Sequence, residues 1–306
     1  MIKVGITGGD SEAAGELLRI LIHHPDVEIV WVQSATAAGR EVAMLHRGFI
    51  GEERLTFEAE ARYADADVLF NCAPAGTLRQ LLSATELPPE LRIIDVTGDY
   101  RDNDDGRHDD FLYGLPELHR KWIVKGTRVA LPSPAAGILA LPLLPLARNM
   151  LLNADVRITF MAGSSLAGHI TPAQVNALRD ELHATLRRAQ PSFFSAVNIE
   201  ANIGQFARGI IATASVATTM ELEELRRLFE EYYDDHGFVF VAPYRPQIND
   251  VANTNKCLLY LQRLDNRVEV TAVADNVIKG GAGQAVHNMN LLFGLEESVG
   301  LKLKVY

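Results

Sequence analysis

Cysteine is scarce in this chain: Cys72 and Cys257 are the only two in 306 residues. Two thiols cannot build a disulfide framework, and their spacing offers no metal site. Long apolar runs are missing too. The longest, Gly137 to Ala147, is broken by Pro142 and Pro145, short of the roughly 18 residues that read as a membrane span. The opening MIKVGITGGD lacks the basic flank and apolar stretch of a secretion signal. A cytoplasmic protein without membrane contact is therefore expected. Positive charge is in deficit, with 29 Lys and Arg against 39 Asp and Glu, a formal net charge of −10. Such a surface excludes phosphate-backbone binding as the main task, so no nucleic-acid partner is expected. Internal repeats and low-complexity linkers are absent as well.

What is present is ordinary globular composition, 48% hydrophobic and 22% charged, long enough for two domains. Ile2 to Thr7 reads as a strand, Gly8-Gly9 as a turn, and Ala13, Ala14, Leu17, Leu18, Leu21 and Ile22 recur at helical spacing. Val27 to Val32, Asp67 to Asn71 and Arg92 to Val96 are apolar strands, with a helix over Thr77 to Ala84 between the last two. Strands alternating with helices predict a doubly wound α/β domain with a parallel sheet. Beyond Pro132 the pattern changes. Strands are predicted over Asp155 to Ala162, Gly209 to Val216, Phe238 to Ala242, Lys256 to Gln262 and Val268 to Ala274. Helices are predicted over Thr171 to Ala189 and Glu221 to Tyr233. Thr171, Pro172 and Gln174 form a capping-box pattern. This half reads as α+β. A tail helix is read over about Gly283 to Leu292, and the predicted division is 1–131, completed by a C-terminal helical segment 282–306, and 132–281. Asp102 to Asp110 reads as a solvated acidic loop.

Several segments could carry chemistry. The turn containing Gly8 and Gly9 points N–H groups at the start of a helix, a phosphate-binding arrangement or simply a tight βα turn. Asp10 and Glu12 oppose an anion there; like charges about 4 Å apart cost roughly 1–4 kcal/mol in polar surroundings. Ser34, at the end of the second strand with Arg40 nearby, replaces the acidic residue that would favour NAD, so NADP is the better match if a dinucleotide binds. Arg101, after the strand RIIDV, suits a carboxylate or phosphate, or a structural ion pair with Asp99 or the acidic loop. The run GSSLAG contributes Ser164 and Ser165, followed by His169, which is a base or a solvated imidazole. The glycines of DNVIKGGAGQ allow a helix to pack closely.

Together these segments resemble the N-acetyl-gamma-glutamyl-phosphate reductase family, in the short form found in Bacteroidetes. The similarity rests on HPDVEIVWVQS, IIDVTGDYR, FLYGLPELHR, FARGIIAT, EEYYDDHGFV, NTNKCLL and DNVIKGGAGQAVHNMNLLFGLEESVGL. The resemblance implies a Rossmann-like NADP(H) domain and a second domain similar to that of aspartate-semialdehyde dehydrogenase. It also implies a homo-oligomer, dimer or tetramer, formed through the second sheet, and a small acidic substrate. The implied reaction reduces an acyl phosphate in arginine biosynthesis: a cysteine thiolate forms a thioester, hydride from NADPH releases the semialdehyde, and a histidine moves protons. On position, Gly8, Gly9, Ser34, Gly76 and Asn276 would line the cofactor. Arg101, Tyr113, Glu117, Ser164, Ser165 and Arg208 would line the substrate.

The chain departs from the family at the chemistry. The stretch resembling A-N-P-G-C is Ala130-Leu131-Pro132-Ser133-Pro134, so Pro134 stands at the nucleophile's place. Ser133 is one residue off and no base is evident for it. The family's histidine position falls near Leu178; His169 and His183 are displaced from it. The cofactor-side histidine of the family is Ala75. Cys72 reads as a small core-edge residue and Cys257 as a packed one. These changes leave four expectations: a reductase with another nucleophile, direct hydride transfer without a covalent intermediate, the ordinary reductase with Cys72 substituting, or an inactive paralogue with a regulatory or scaffolding role beside a true reductase or its upstream kinase.

Overall fold

A computed structural model describes residues 1–52, 54–101 and 111–305, except for the His169 side chain. The acidic loop Asp102 to Asp110 lies outside the described residues. Two compact units emerge: Met1–Pro132 with Gly281–Lys302, and Ser133–Gly280 with the last residues from Leu303.

The first unit runs β1 (Ile2–Thr7), α1 (Glu12–Leu21), β2 (Val27–Gln33), β3 (Phe57–Glu58), β4 (Val68–Asn71), α2 (Thr77–Ala84), β5 (Arg92–Asp95), β6 (Phe111–Tyr113), α3 (Pro116–Ile123) and β7 (Arg128–Ala130). The strands form one sheet in the order β3-β2-β1-β4-β5-β7-β6, and every pairing is parallel. All of β4 is buried, as expected of a central parallel strand covered on both faces. The chain runs outward from β1 to β2 and then restarts at β4 on β1's other side. This reversal makes the carboxyl ends of β1 and β4 the topological switch point of the sheet.

The C-terminal helix (Gly283–Leu292) belongs to this unit and is buried throughout. Its polar residues have assigned work. Gln284 Nε2 and Asn288 Nδ2 both donate to the Gly114 carbonyl at 3.1 Å. His287 and Arg120 hold Glu297. The expected helical segment 282–306 stops at Leu292. Gly294 there takes a positive φ of 68°, and Leu295 N–H turns back to the Asn290 carbonyl, a helix stop that glycine alone adopts without strain.

The second unit carries α4 (Pro134–Ala140), α5 (Leu144–Arg148), β8 (Val156–Ala162), α6 (Pro172–Ala189), β9 (Val197–Ile203), β10 (Ile210–Ala217), α7 (Leu222–Tyr233), β11 (Val239–Val241), β12 (Cys257–Leu264) and β13 (Arg267–Ala274). Its mixed sheet has the order β11-β12-β13-β10-β8-β9. The central pairings are antiparallel and both edge pairings parallel. Burial alternates along β8 and β10, so one face is sealed while the other leaves Arg157, Thr159 and Met161 exposed. Thr171 caps α6 in the predicted capping box with Gln174. Among the described residues, no helix is long and apolar enough to cross a membrane.

Candidate functional site

In the first unit, polar side chains meet at the carboxyl ends of the central strands. Thr7 donates to Asn71 Oδ1 (3.1 Å), and Asn71 Nδ2 donates to Asp95 Oδ1 (3.1 Å) and Thr97 Oγ1 (3.0 Å). Asp95, fully buried, also accepts from Gly98 N–H and Tyr100 N–H. This ladder fixes the loop tops of β1, β4 and β5. Cys72 sits beside it, buried, its thiol pushed up to about 12 by desolvation and then by the Asp95 charge. A thiol so held stays protonated at neutral pH and is no nucleophile.

The glycine turn is held to the end of β2, where Gly9 N–H donates to the Gln33 carbonyl at 2.8 Å. Gly8 takes φ 65°, and a Cβ there would fall on the backbone of Ala73, so the β1 and β4 loop tops touch. Gly76 takes φ 87°, and a Cβ there would meet nothing within 4 Å, which leaves open approach to the backbone. Ser11 caps α1 by accepting from Ala14 N–H. Two features oppose an anion. The first turn of α2, with Gly76 and Leu78 N–H, is already filled by the Asp99 carboxylate at 2.5 and 3.0 Å. Asp10 is exposed, and Thr36 Oγ1 donates to it at 2.5 Å. That bond, ahead of the opposing effect of partial burial, holds the Asp10 carboxyl below the usual range. A carboxylate thus does reach the end of β2, delivered from the glycine loop, which sequence reading missed. Ser34 is buried, and its hydroxyl binds Ala37 N–H and Thr36. Gly76 leaves room beside its backbone for a dinucleotide, while the Asp10 and Asp99 carboxylates are set against its phosphates.

Arg101 pairs with a carbonyl rather than with Asp99: its Nη2 donates to Thr97 O at 2.9 Å, and its guanidinium lies where a Cβ on Gly98 would stand. Tyr113 and Glu117 are buried, at the end of β6 and in the first turn of α3.

In the second unit, Asp275 is the organising charge. It is fully buried: Oδ1 accepts from the N–H groups of Val277 (2.9 Å) and Ile278 (3.1 Å) and from Arg208 Nη2 (3.1 Å), while Oδ2 accepts from Asn253 N–H (2.8 Å) and lies 2.8 Å from Arg208 Nε. Arg208 is thereby committed to an ion pair. Asn276, expected at the cofactor, serves the fold instead: it accepts from Gly209 N–H at 2.5 Å and donates to Ser165 at 3.2 Å. Ser164 and Ser165 are exposed, but their N–H groups donate to the Phe206 and Ala207 carbonyls, so the run GSSLAG offers hydroxyls rather than a backbone phosphate cradle. The His169 side chain lies outside the described residues.

Ser133 precedes Pro134 at the start of α4, and both are half-buried. The absent base is supplied by α6: Ser133 Oγ donates to Glu181 Oε2 at 2.5 Å and Ser133 N–H to Glu181 Oε1 at 2.8 Å. Leu178 is buried. His183, a candidate for the histidine role, does not share this side of the helix with Glu181. Two residues along a helix is a rotation of about 200°, and the His183 ring packs 5.3 Å from Phe193. Among the described residues no cluster suited to a metal occurs.

Comparison with known proteins agrees with this architecture. The first unit matches the semialdehyde dehydrogenase NAD-binding domain over residues 3–125, and residues 179–276 match the semialdehyde dehydrogenase dimerisation domain. Aspartate semialdehyde dehydrogenase II from Vibrio cholerae superposes with TM-score 0.72 at 15% identity, covering 96% of this chain and 98% of that one. The Candida albicans enzyme, solved with NADP, gives TM-score 0.72 at 14% identity, with coverage of 96% and 98%. The fold is therefore that of the semialdehyde dehydrogenases, with an NAD(P)-binding domain. N-acetyl-gamma-glutamyl-phosphate reductases from Parabacteroides distasonis and Bacteroides fragilis are each 40% identical to this chain, over 99% of both sequences. The chain belongs to the N-acetyl-gamma-glutamyl-phosphate reductase family.

Proposed function

We propose that this protein reduces N-acetyl-γ-glutamyl phosphate with NADPH, the step of arginine biosynthesis named by its relatives, by a route that does not use a cysteine thiolate. The observation that carries the reading is the 40% identity spanning 99% of both chains. The missing thiolate follows from Pro134, from a buried Cys72 held near 12, and from Cys257 packed in β12. When bound, the nicotinamide supplies hydride to the acyl carbon. Gly8, Gly9 and Gly76 give the cofactor a backbone to lie against, and the Thr7–Asn71–Asp95 ladder keeps those loop tops fixed. The exposed residues Ser164 and Ser165 of the second unit are the proposed substrate contacts. A cytoplasmic homo-oligomer is part of the reading, supported by the dimerisation-domain match and by the open face of β8 and β10.

The test is NADPH titration by fluorescence, followed by turnover of N-acetyl-γ-glutamyl phosphate. Binding below millimolar cofactor with phosphate-dependent NADPH oxidation is expected. No binding at millimolar NADPH overturns the reading.

A further inference from the structure

Ser133 and Glu181 form a hydroxyl–carboxylate pair, and we propose that Ser133 Oγ is the group that accepts the acyl moiety of an acyl phosphate, with Glu181 as its base. Both oxygens of one carboxylate grip one residue: Oε2 takes the hydroxyl proton at 2.5 Å and Oε1 the backbone N–H at 2.8 Å. The grip fixes the serine's backbone and side chain together. A serine hydroxyl needs an adjacent base within hydrogen-bond reach to act as a nucleophile, and that contact is already made. The next residue reinforces it. Pro134 sets the entry into α4 with a fixed φ, and Gly280 leaves room for the neighbouring backbone to close on it, since a Cβ there would stand 3.0 Å from Pro134 Cα. Ser133 itself is only half-buried, so a small acyl donor has a path to it.

The step balances without an external oxidant or reductant. The Ser133 oxygen bonds to the acyl carbon, and the carbon–oxygen bond to phosphate breaks. The serine proton passes to Glu181 and from there to the departing phosphate. The products are an acyl-serine ester and inorganic phosphate. Reduction of that ester to the aldehyde rests on the reductase reading above; formation of the ester does not.

The experiment mixes the full-length protein, with no nicotinamide present, with chemically prepared N-acetyl-γ-glutamyl phosphate. It follows phosphate release by rapid quench and maps the adduct by peptide mass spectrometry. The expected result is a burst of one phosphate per chain and an N-acetylglutamyl adduct on the peptide carrying Ser133. Ser133→Ala should show neither. Glu181→Gln should slow the burst about 100-fold or more in a protein whose thermal transition is unchanged, an effect that loss of a purely structural tether would not produce. Ser133→Cys keeps the geometry and should carry the adduct as a hydroxylamine-labile thioester, which decides the matter if the alanine variant does not fold. No adduct in the unaltered protein, an adduct on another residue, or an undiminished burst in Ser133→Ala overturns the proposal. NADPH oxidation without acyl-serine overturns the serine alone, whereas acyl-serine without NADPH oxidation overturns the reductase reading alone.

Discussion

Replacing Asp275 by Asn tests the electrostatic centre of the second unit at almost constant volume. The native carboxylate is fully buried and accepts from three backbone N–H groups while pairing with Arg208. Asparagine keeps one acceptor oxygen but turns an NH₂ toward donors and leaves Arg208 without its counter-charge. Breaking one side of a buried pair costs about 3–5 kcal/mol, and a stranded buried donor adds about 1–3 kcal/mol. Because asparagine retains part of the acceptor set, a loss of about 3 kcal/mol is expected. For a unit of this size that is roughly 6–12 °C in its transition temperature. Differential scanning calorimetry should place the loss in the transition of the unit spanning Ser133–Gly280. Arg208→Gln should cost a similar amount, and the double variant much less than the sum, because both remove one interaction. A loss below about 1 kcal/mol for Asp275→Asn, or strict additivity in the cycle, would refute the assignment of Arg208 to a structural ion pair.

Asp10→Ser removes the carboxylate from the glycine turn. With about 1 kcal/mol of repulsion relieved at 4 Å in a water-like medium, NADPH should bind roughly 5-fold tighter at low salt, as measured by fluorescence titration; unchanged affinity would mean the carboxylate lies clear of the phosphates. His24 gives a pH test. Its Nε2–H donates to Asn290 Oδ1 (3.0 Å) and its Nδ1 accepts from Asp26 N–H (3.2 Å), which the neutral ring satisfies completely. Burial lowers its pKa in the fold from the ordinary 6.5. The unfolded chain therefore binds a proton that the folded one refuses. Stability is fully present above pH 6.5 and is lost as pH falls through the folded value. Thermal melts between pH 8 and 5 should show this decline, and His24→Gln should flatten it; an equal decline in the variant would sink the assignment.

Much of the fold was legible in the sequence because it is written in periodicity. Helix Thr77–Ala84, helix Gly283–Leu292 and the capping box at Thr171 follow from local spacing and cap chemistry. Short elements escaped. The three-residue strands Phe111–Tyr113 and Arg128–Ala130 are too brief for a period and exist because the sheet edge supplies partners. The long strand Val197–Ile203 escaped although Val197, Ile199, Ala201 and Ile203 alternate with polar residues as a strand should; it is held as an edge strand by pairing with β8. At the site, residue types in sequence suggested ligands where the fold uses internal bonds. Ser34, Asn276 and Arg208 each satisfy a neighbouring loop, through partners that include residues distant in sequence. The same long-range pairing hid the two most informative carboxylates. Asp10 meets Thr36 across 26 positions, and Glu181 meets Ser133 across 48. Nothing local marks either contact.

The central claim is that this member of the reductase family works without a cysteine nucleophile. The direct measurement is NADPH oxidation by a cysteine-free protein, Cys72→Ala with Cys257→Ala, against the unaltered chain, with N-acetyl-γ-glutamyl phosphate as substrate and folding checked by thermal melt. Turnover of the folded variant within about two-fold of the unaltered chain is the expected result. Turnover in the unaltered chain that vanishes in the folded cysteine-free protein would contradict the account.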